Sequence, residues 1–384
     1  MARPEGRKGK GFERFHTQYD FMLLFMTIAI ALFGVLMIYS SSSFTGASRF
    51  DDPYRFVKQQ LLGLVVGIVV MLIVSLADYQ VLVVKIFGGK LNLVELFYLC
   101  ALILQVLVLI PGIGQEYNGA RRWLRIGPVR FQPSEITKIA LILFISYLVY
   151  LSRKKMDHWL GYVRAMIFSV AAIVPIAAEN MSTAIIVAGI AVGMCFVASK
   201  RWKFLGVTLV SAFAVGGLYL LTGDEFRRQR ITAWLNVESD PTGYQVLQGL
   251  YAIASGGVFG SGLGESMQKL GYIPEAYNDM IFAVICEELG IVGAVLVMLA
   301  FLVLFWRIVV IACNAPDIFG TMICVGVLIH IAIQVILNIG VVTGAIPSTG
   351  VPLPFISYGG TAASIMMVEM GLVLSVSNQV KLKG

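Results

Sequence analysis

The sequence predicts an all-α polytopic membrane protein with about ten transmembrane helices. Of its 384 residues, 58% are hydrophobic and only 13% are charged, and the mean hydropathy is +0.84. The apolar residues fall in continuous runs long enough to cross a bilayer. In lipid only helices and closed barrels satisfy every backbone polar group, and a barrel would be written as short alternating segments.

In chain order the expected spans are 21–43, 60–77, 92–111, 135–151, 165–179, 183–198, 204–221, 282–306, 319–343 and 361–379. The first run, Phe21 to Tyr39, is too long for a signal-peptide core and lacks a small-residue cleavage site, so it reads as a retained span. The connection Glu179 to Ser182 is so short that spans five and six form a tight hairpin. Basic clusters flank several spans: Arg3, Arg7, Lys8, Lys10 and Arg14; Arg153-Lys154-Lys155; Lys200-Arg201; Lys381 and Lys383. By the positive-inside bias both termini are cytoplasmic, as an even number of spans requires. Residues 1–20 then form a cytoplasmic basic tail. Residues 21–384 form one membrane domain with a large extracytoplasmic loop, 222–281, between spans seven and eight.

Cys100, Cys195, Cys286, Cys313 and Cys324 all lie in or beside apolar runs without metal-ligand spacing, which reads as packing. His16, His158 and His330 are scattered and make no metal constellation. There is no Walker sequence. Gly260-x-Gly262-x-Gly264 lacks the strand that a nucleotide fingerprint needs, and reads as a close-packed turn.

Three carboxylates, Asp279, Glu287 and Glu288, stand where the polar loop runs into the eighth span. An ionisable group near membrane depth is by default a site. An acidic helix start accounts for Asp279 on its own, but less well for Glu287 and Glu288, two or more turns further in. The arginine clusters Arg121-Arg122 and Arg227-Arg228-Gln-Arg230 fall on expected outward loops. Guanidinium forks suit phosphate oxygens, so an anionic, phosphorylated lipid is the expected ligand. Residues 243–264 are amphipathic and then glycine-rich, with Gln245, Gln248 and Ala252 at helical spacing. A helix lying against the bundle is expected there. Residues 344–360 carry three prolines and should form a rigid irregular segment. Glu135 and Lys138, three apart at the start of the fourth span, can meet on one helix face, with Ser134 placed to cap it. A buried structural pair and a direct ligand role are both open for them.

Four blocks of the chain resemble the SEDS family (shape, elongation, division and sporulation), integral-membrane peptidoglycan glycosyltransferases typified by RodA and FtsW. They are Asn118-Gly-Ala-Arg-Arg-Trp123 with Gln132-Pro-Ser-Glu-Ile-Thr-Lys138; Gly243 to Gly264; Pro274-Glu-Ala-Tyr-Asn-Asp279 to Gly290; and Asn338 to Gly360. The detail is closer to the division branch, FtsW. The chain departs from the pattern at Asn278, Met280, Gly249, Asn180, Ser182 and Ala362. The departures at Asn180 and Ser182 leave the role of the fifth-to-sixth connection open.

The resemblance implies polymerisation of lipid II on the outer face of the bacterial cytoplasmic membrane during cell division. It also implies inverting displacement of undecaprenyl pyrophosphate and an essential aspartate at Asp279. General-base catalysis of that kind contributes about 10²–10⁴-fold. Arg121, Arg122, Arg228 and Arg230 are the expected pyrophosphate ligands, with Glu135, Lys138, Gln248 and Lys269 at the substrate site. Glu287, Glu288, Asn338, Ser357 and Tyr358 are the expected supporting residues. No all-protein metal cage is visible; a divalent cation, Mg or Mn, bridging the phosphates is compatible with the chemistry. The implied partners are a class B penicillin-binding protein transpeptidase and other division membrane proteins. A lipid II flippase, an elongation polymerase of the RodA type and a non-catalytic scaffold are the alternatives.

Overall fold

The computed structural model describes residues 19–86, 89, 91–117, 120–127, 129–199, 201–211, 225–240 and 243–380. Among these residues eight helices are long and apolar enough to cross a membrane: α1 (Phe21–Phe50), α2 (Arg55–Leu76), α4 (Pro133–Leu151), α5 (Trp159–Glu179), α6 (Met181–Ala198), α10 (Ile281–Asn314), α11 (Ile318–Val342) and α12 (Gly360–Asn378). The expected third and seventh spans coincide with shorter apolar helices, α3 (Leu93–Leu107) and α7 (Trp202–Ser211). Residues 212–221 of the seventh lie outside the described residues.

The ends of these helices follow from their sequence. Asp20 caps α1 by accepting from the Leu23 amide, and Asn92 with Glu95 forms a reciprocal capping box on α3. Asn180 caps α6 by accepting from Thr183, so the departure from the family pattern at this position still makes a good helix start. For α4 the expected cap is corrected. Gln132 is the cap residue, Pro133 occupies the first helical position, and Ser134 lies inside the helix, because proline's fixed φ suits that first turn.

Helices α2 and α12 lie along one another. A Cβ added to Gly63 would come within 2.5 Å of the Gly360 Cα, so only glycines allow the two backbones this approach. Ser364 fastens the crossing by donating to the carbonyls of Gly63 and Gly360. The two helices share a sliding fit of small residues where lipid supplies no hydrophobic drive.

One segment expected to be loop contains a sheet. Strands β1 (Gln115–Tyr117), β2 (Ala120–Ile126) and β3 (Val129–Phe131) pair antiparallel in chain order. The turn between β2 and β3 uses Gly127 at φ 61. The strands are short and rich in arginine, so their two-residue period is hard to see beside the long apolar runs.

The other departure from a simple bundle is in α10, which extends past the expected 282–306. It is broken at Gly290, whose φ of 66 and ψ of −165 are not helical. A break at membrane depth strands backbone polar groups that lipid cannot satisfy. The loop after α9 (Tyr244–Gly256) supplies their partners. Ile291 and Val292 donate to the carbonyls of Gly257 and Val258, and Ser261 and Gly262 donate to those of Glu287 and Glu288. The approach is so close that a Cβ on Gly290 would lie 2.4 Å from the Val258 oxygen, and one on Gly260 would lie 2.1 Å from the Glu288 oxygen. The glycine run is therefore the close-packed turn that fills the break.

Gly290→Ala should cost the fold more than about 2 kcal/mol, from left-handed strain combined with the clash against Val258. Thermal melting of the purified chain in nanodiscs checks this, with an unchanged midpoint as the contrary result.

Candidate active site

Asp279 immediately precedes the first turn of α10, where helix amides favour an anion. Four separate elements converge on it. From α9, Gln245 Nε2 donates to its Oδ1 at 3.2 Å. From α11, the buried Asn338 donates through Nδ2 to the Asp279 carbonyl at 2.7 Å and to the Val351 carbonyl at 2.9 Å. The irregular segment 344–359 passes beside the carboxylate at Gly350, where an added Cβ would sit 3.8 Å from Oδ2. From α8 (Glu225–Leu235), Arg230 contributes a positive charge.

The Asp279 carboxyl is pushed up to about 6, first by burial and then by the charge of Glu275. Its own backbone amide, Gln245 and Arg230 pull the other way without cancelling the effect. Arg230 in turn is lowered from its usual value, by burial first and then by the like charge of Arg122, while Asp279 opposes the shift. Arg122, Arg230 and Asp279 thus share one electrostatic environment. Asp279 is half-buried, so it is accessible while partly stripped of water. A carboxylate of raised pKa near a guanidinium group can accept a proton from one part of a ligand while the arginine holds phosphate oxygens on another.

Other expected site residues stand elsewhere. Arg121, on the opposite face of β2 from Arg122, has Nε 3.5 Å from Glu116, and its amide donates to Glu179 at 2.7 Å. Glu179 thereby ties the fifth-to-sixth connection to the sheet. Gln248 is half-buried on α9, one turn beyond Gln245. The side chains of Arg227 and Arg228 lie outside the described residues.

Lys269, expected on an outward loop, is buried in an ion pair with Glu288 at 2.7 Å, and Ser40 of α1 bonds to both. Glu287 accepts from the Ser266 hydroxyl and, at 2.9 Å, from the Met267 amide. These two carboxylates fasten the loop that leads back to Asp279, and do not face it. Ser357 accepts from the Leu353 amide at 2.8 Å, closing a turn in the 344–359 segment. Tyr358 donates its hydroxyl to Gln59, and its amide donates to the Tyr277 carbonyl at 3.0 Å. Its ring meets Phe56 and Tyr277 edge-on.

Lys138 is fully buried, 2.9 Å from the partly buried Glu135. Among the described residues no cluster of three or more metal-ligating side chains occurs. A cation here would have to draw oxygens from a bound phosphate as well as from the protein. Gln245 was singled out in the sequence only as a helical repeat. Its role at the carboxylate appears when α9 folds back against α10.

A polytopic helical bundle with a half-buried acid and a nearby arginine at one end of its spans defines the class, a multi-pass helical membrane protein. The family model described as "Cell cycle protein", covering FtsW, RodA and SpoVE, matches residues 20–382, and the chain belongs to that family. It is 40% identical over 369 residues to "Stage V sporulation protein E" of Bacillus subtilis, covering 94% of this chain and 97% of that protein. It is 39% identical over 375 residues to "Probable peptidoglycan glycosyltransferase FtsW" of Trichlorobacter lovleyi, covering 95% and 94%. A chain solved in a study of "polymerization and crosslinking by a peptidoglycan synthase complex" superposes with a TM-score of 0.78 at 26% identity, over 94% of this chain and 98% of that one. The rod shape determining protein RodA of Thermus thermophilus shares the fold, with a TM-score of 0.69 over 97% and 100%.

The Glu135–Lys138 pair gives a stability prediction. Either single alanine substitution should cost about 3–5 kcal/mol by leaving one charge unpaired, and the double should cost clearly less than the sum. Melts of the four proteins measure the coupling; strict additivity would show that the charges act independently.

Proposed function

We propose that the chain is a peptidoglycan glycosyltransferase that polymerises lipid II into β-1,4 glycan strands during cell division. The observation that carries the reading is Asp279, held by Gln245 and Asn338 and raised to about 6, with Arg230 acting on it and Arg122 acting in turn on Arg230. The names of the relatives and the family membership support it. The resemblance supplies the substrate, an α-linked donor on a lipid pyrophosphate, so a β-linked product means inversion by a single displacement.

In this reading Asp279 removes the proton from the acceptor 4-hydroxyl as that oxygen attacks the donor's anomeric carbon. The bond to pyrophosphate breaks on the opposite side. Pyrophosphate leaves as a stable anion and needs no strong general acid. Arg122 and Arg230 hold it, with Arg228 the further candidate, and a Mg or Mn ion, if bound with the pyrophosphate, would add positive charge to theirs. Gln245 bonds the carboxylate and Asn338 the backbone carbonyl of Asp279, which holds the residue in place, and Gln248, one turn along α9 from Gln245, is the further substrate candidate. Glu135 and Lys138 line the bundle below.

Residues 1–20 are assigned as the cytoplasmic tail and 21–384 as a single membrane domain. The Asp279 end faces outward, where lipid II is polymerised. Glycan polymerised without a transpeptidase stays uncrosslinked, so a class B penicillin-binding protein transpeptidase is the partner in this reading. The structural relative drawn from a peptidoglycan synthase complex supports that choice.

Purified wild-type chain, assayed with and without the transpeptidase, should convert labelled lipid II to glycan resolved on gels. Asp279→Asn should lose at least about 10²-fold of that rate while remaining folded. Substantial product from Asp279→Asn would overturn the base assignment, and a folded wild type that moves lipid II without polymerising it would favour the flippase.

The pH dependence has a definite sign. A base that must be ionised, with a pKa of about 6, should lose rate as pH falls through 6. Arg230 lowers that pKa, so Arg230→Ala should move the acid limb to higher pH. Profiles of kcat/KM at limiting lipid II, which report the unliganded chain, test this, and a limb that stays in place would separate Arg230 from Asp279.

A further inference from the structure

His330, Gln334 and Asn338 recur at every fourth position of α11, and each is at most 2% exposed. His330 Nδ1 lies 2.7 Å from Glu369 Oε2 on α12, and Glu369 is fully buried. An ionisable pair inside a span demands a role beyond packing.

The register of α4 against α11 places this pair beside another. Tyr150 packs on Phe319, and Ile142 meets Gly326, so the two helices run antiparallel. Four residues further along each, Lys138 and His330 reach the same depth on facing sides. The titratable groups around His330 are therefore Glu369 from α12 and Glu135 and Lys138 from α4. The span of α6 offers only Cys195, and α9 only the exposed Tyr244 and Tyr251. On α10, Glu287 and Glu288 are committed to the loop, and Arg307 pairs with Asp20.

Four buried atoms along the same line have no partner among the described protein residues: His330 Nε2, Glu369 Oε1, Gln334 Oε1 and Asn338 Oδ1. Buried polar groups of this kind are ordinarily satisfied by internal water.

We infer that His330 and Glu369 form a proton-binding site inside the membrane, kept wet by a short file of internal water held on Gln334 and Asn338. The file ends beneath Asp279, because Asn338 holds the Asp279 carbonyl with its amide. The site takes a proton and water, and it stands whether or not the transferase reading does.

Infrared difference spectroscopy tests it on the full chain in nanodiscs, stepping between mildly acidic and mildly alkaline buffer. The wild type should show a buried carboxyl and imidazole signal that titrates and that shifts promptly in heavy water. That signal should vanish in Glu369→Gln and in His330→Gln. Should either fold poorly, the combined His330→Phe and Glu369→Leu variant, apolar on both sides, should melt as a folded protein and also be silent. Identical spectra for wild type and Glu369→Gln, or a signal that persists in the apolar variant, would overturn the proton site. A titrating signal that does not shift in heavy water would overturn the water file.

Discussion

The break in α10 at Gly290 is the constraint on which the site depends. A continuous helix would satisfy its own backbone and leave the preceding loop unattached. The broken helix frees two amides and two carbonyls, and the 256–262 turn takes them. Once that turn is seated, Glu287 and Glu288 clamp the chain that follows through Ser266, Met267 and Lys269. The path from α9 to Asp279 is then pinned at both ends. Gln245 reaches the Asp279 carboxylate because α9 is held against the same helix that Asp279 begins.

This arrangement gives the two deep carboxylates a purpose that their position alone disguised. An acid two turns into an apolar helix reads as a site because burying charge is expensive. Here the cost is offset locally. Glu288 has a lysine and a serine, while Glu287 has a hydroxyl and backbone amides. The same reasoning explains why Lys269, an ordinary loop lysine by sequence, is no surface charge. Its partner lies nineteen residues away on an element whose bend cannot be seen in composition.

What could be read from residues alone was whatever depends on local pattern. The helical class, most span positions, the acid at Asp279 and the polar start of the fourth span all follow from hydropathy and spacing. The three-stranded sheet did not, because its arginines mask alternation over strands of three to seven residues. Nor did Gln245, Glu179 or the Asn338 bridge, whose partners are 34, 58 and 59 residues distant. His330 and Glu369 did carry a signal, as ionisable residues within apolar runs. Scattered through the sequence they formed no motif, and only helix register brings them together.

The electrostatics of the Asp279 end also constrain how any phosphorylated ligand acts there. Without a ligand, Arg230 partly offsets the burial that raises the Asp279 carboxyl. A phosphate held between Arg122 and Arg230 would neutralise that offset and displace water from the carboxylate. Both changes make Asp279 a stronger base than it is in the open site. In the proposed reaction Arg230 would therefore restrain the base until the anion arrived, and binding itself would raise its basicity. Asn338 adds the geometric half of the arrangement. It holds the Asp279 and Val351 carbonyls with one amide group, so the carboxylate and the segment flanking it move as a unit.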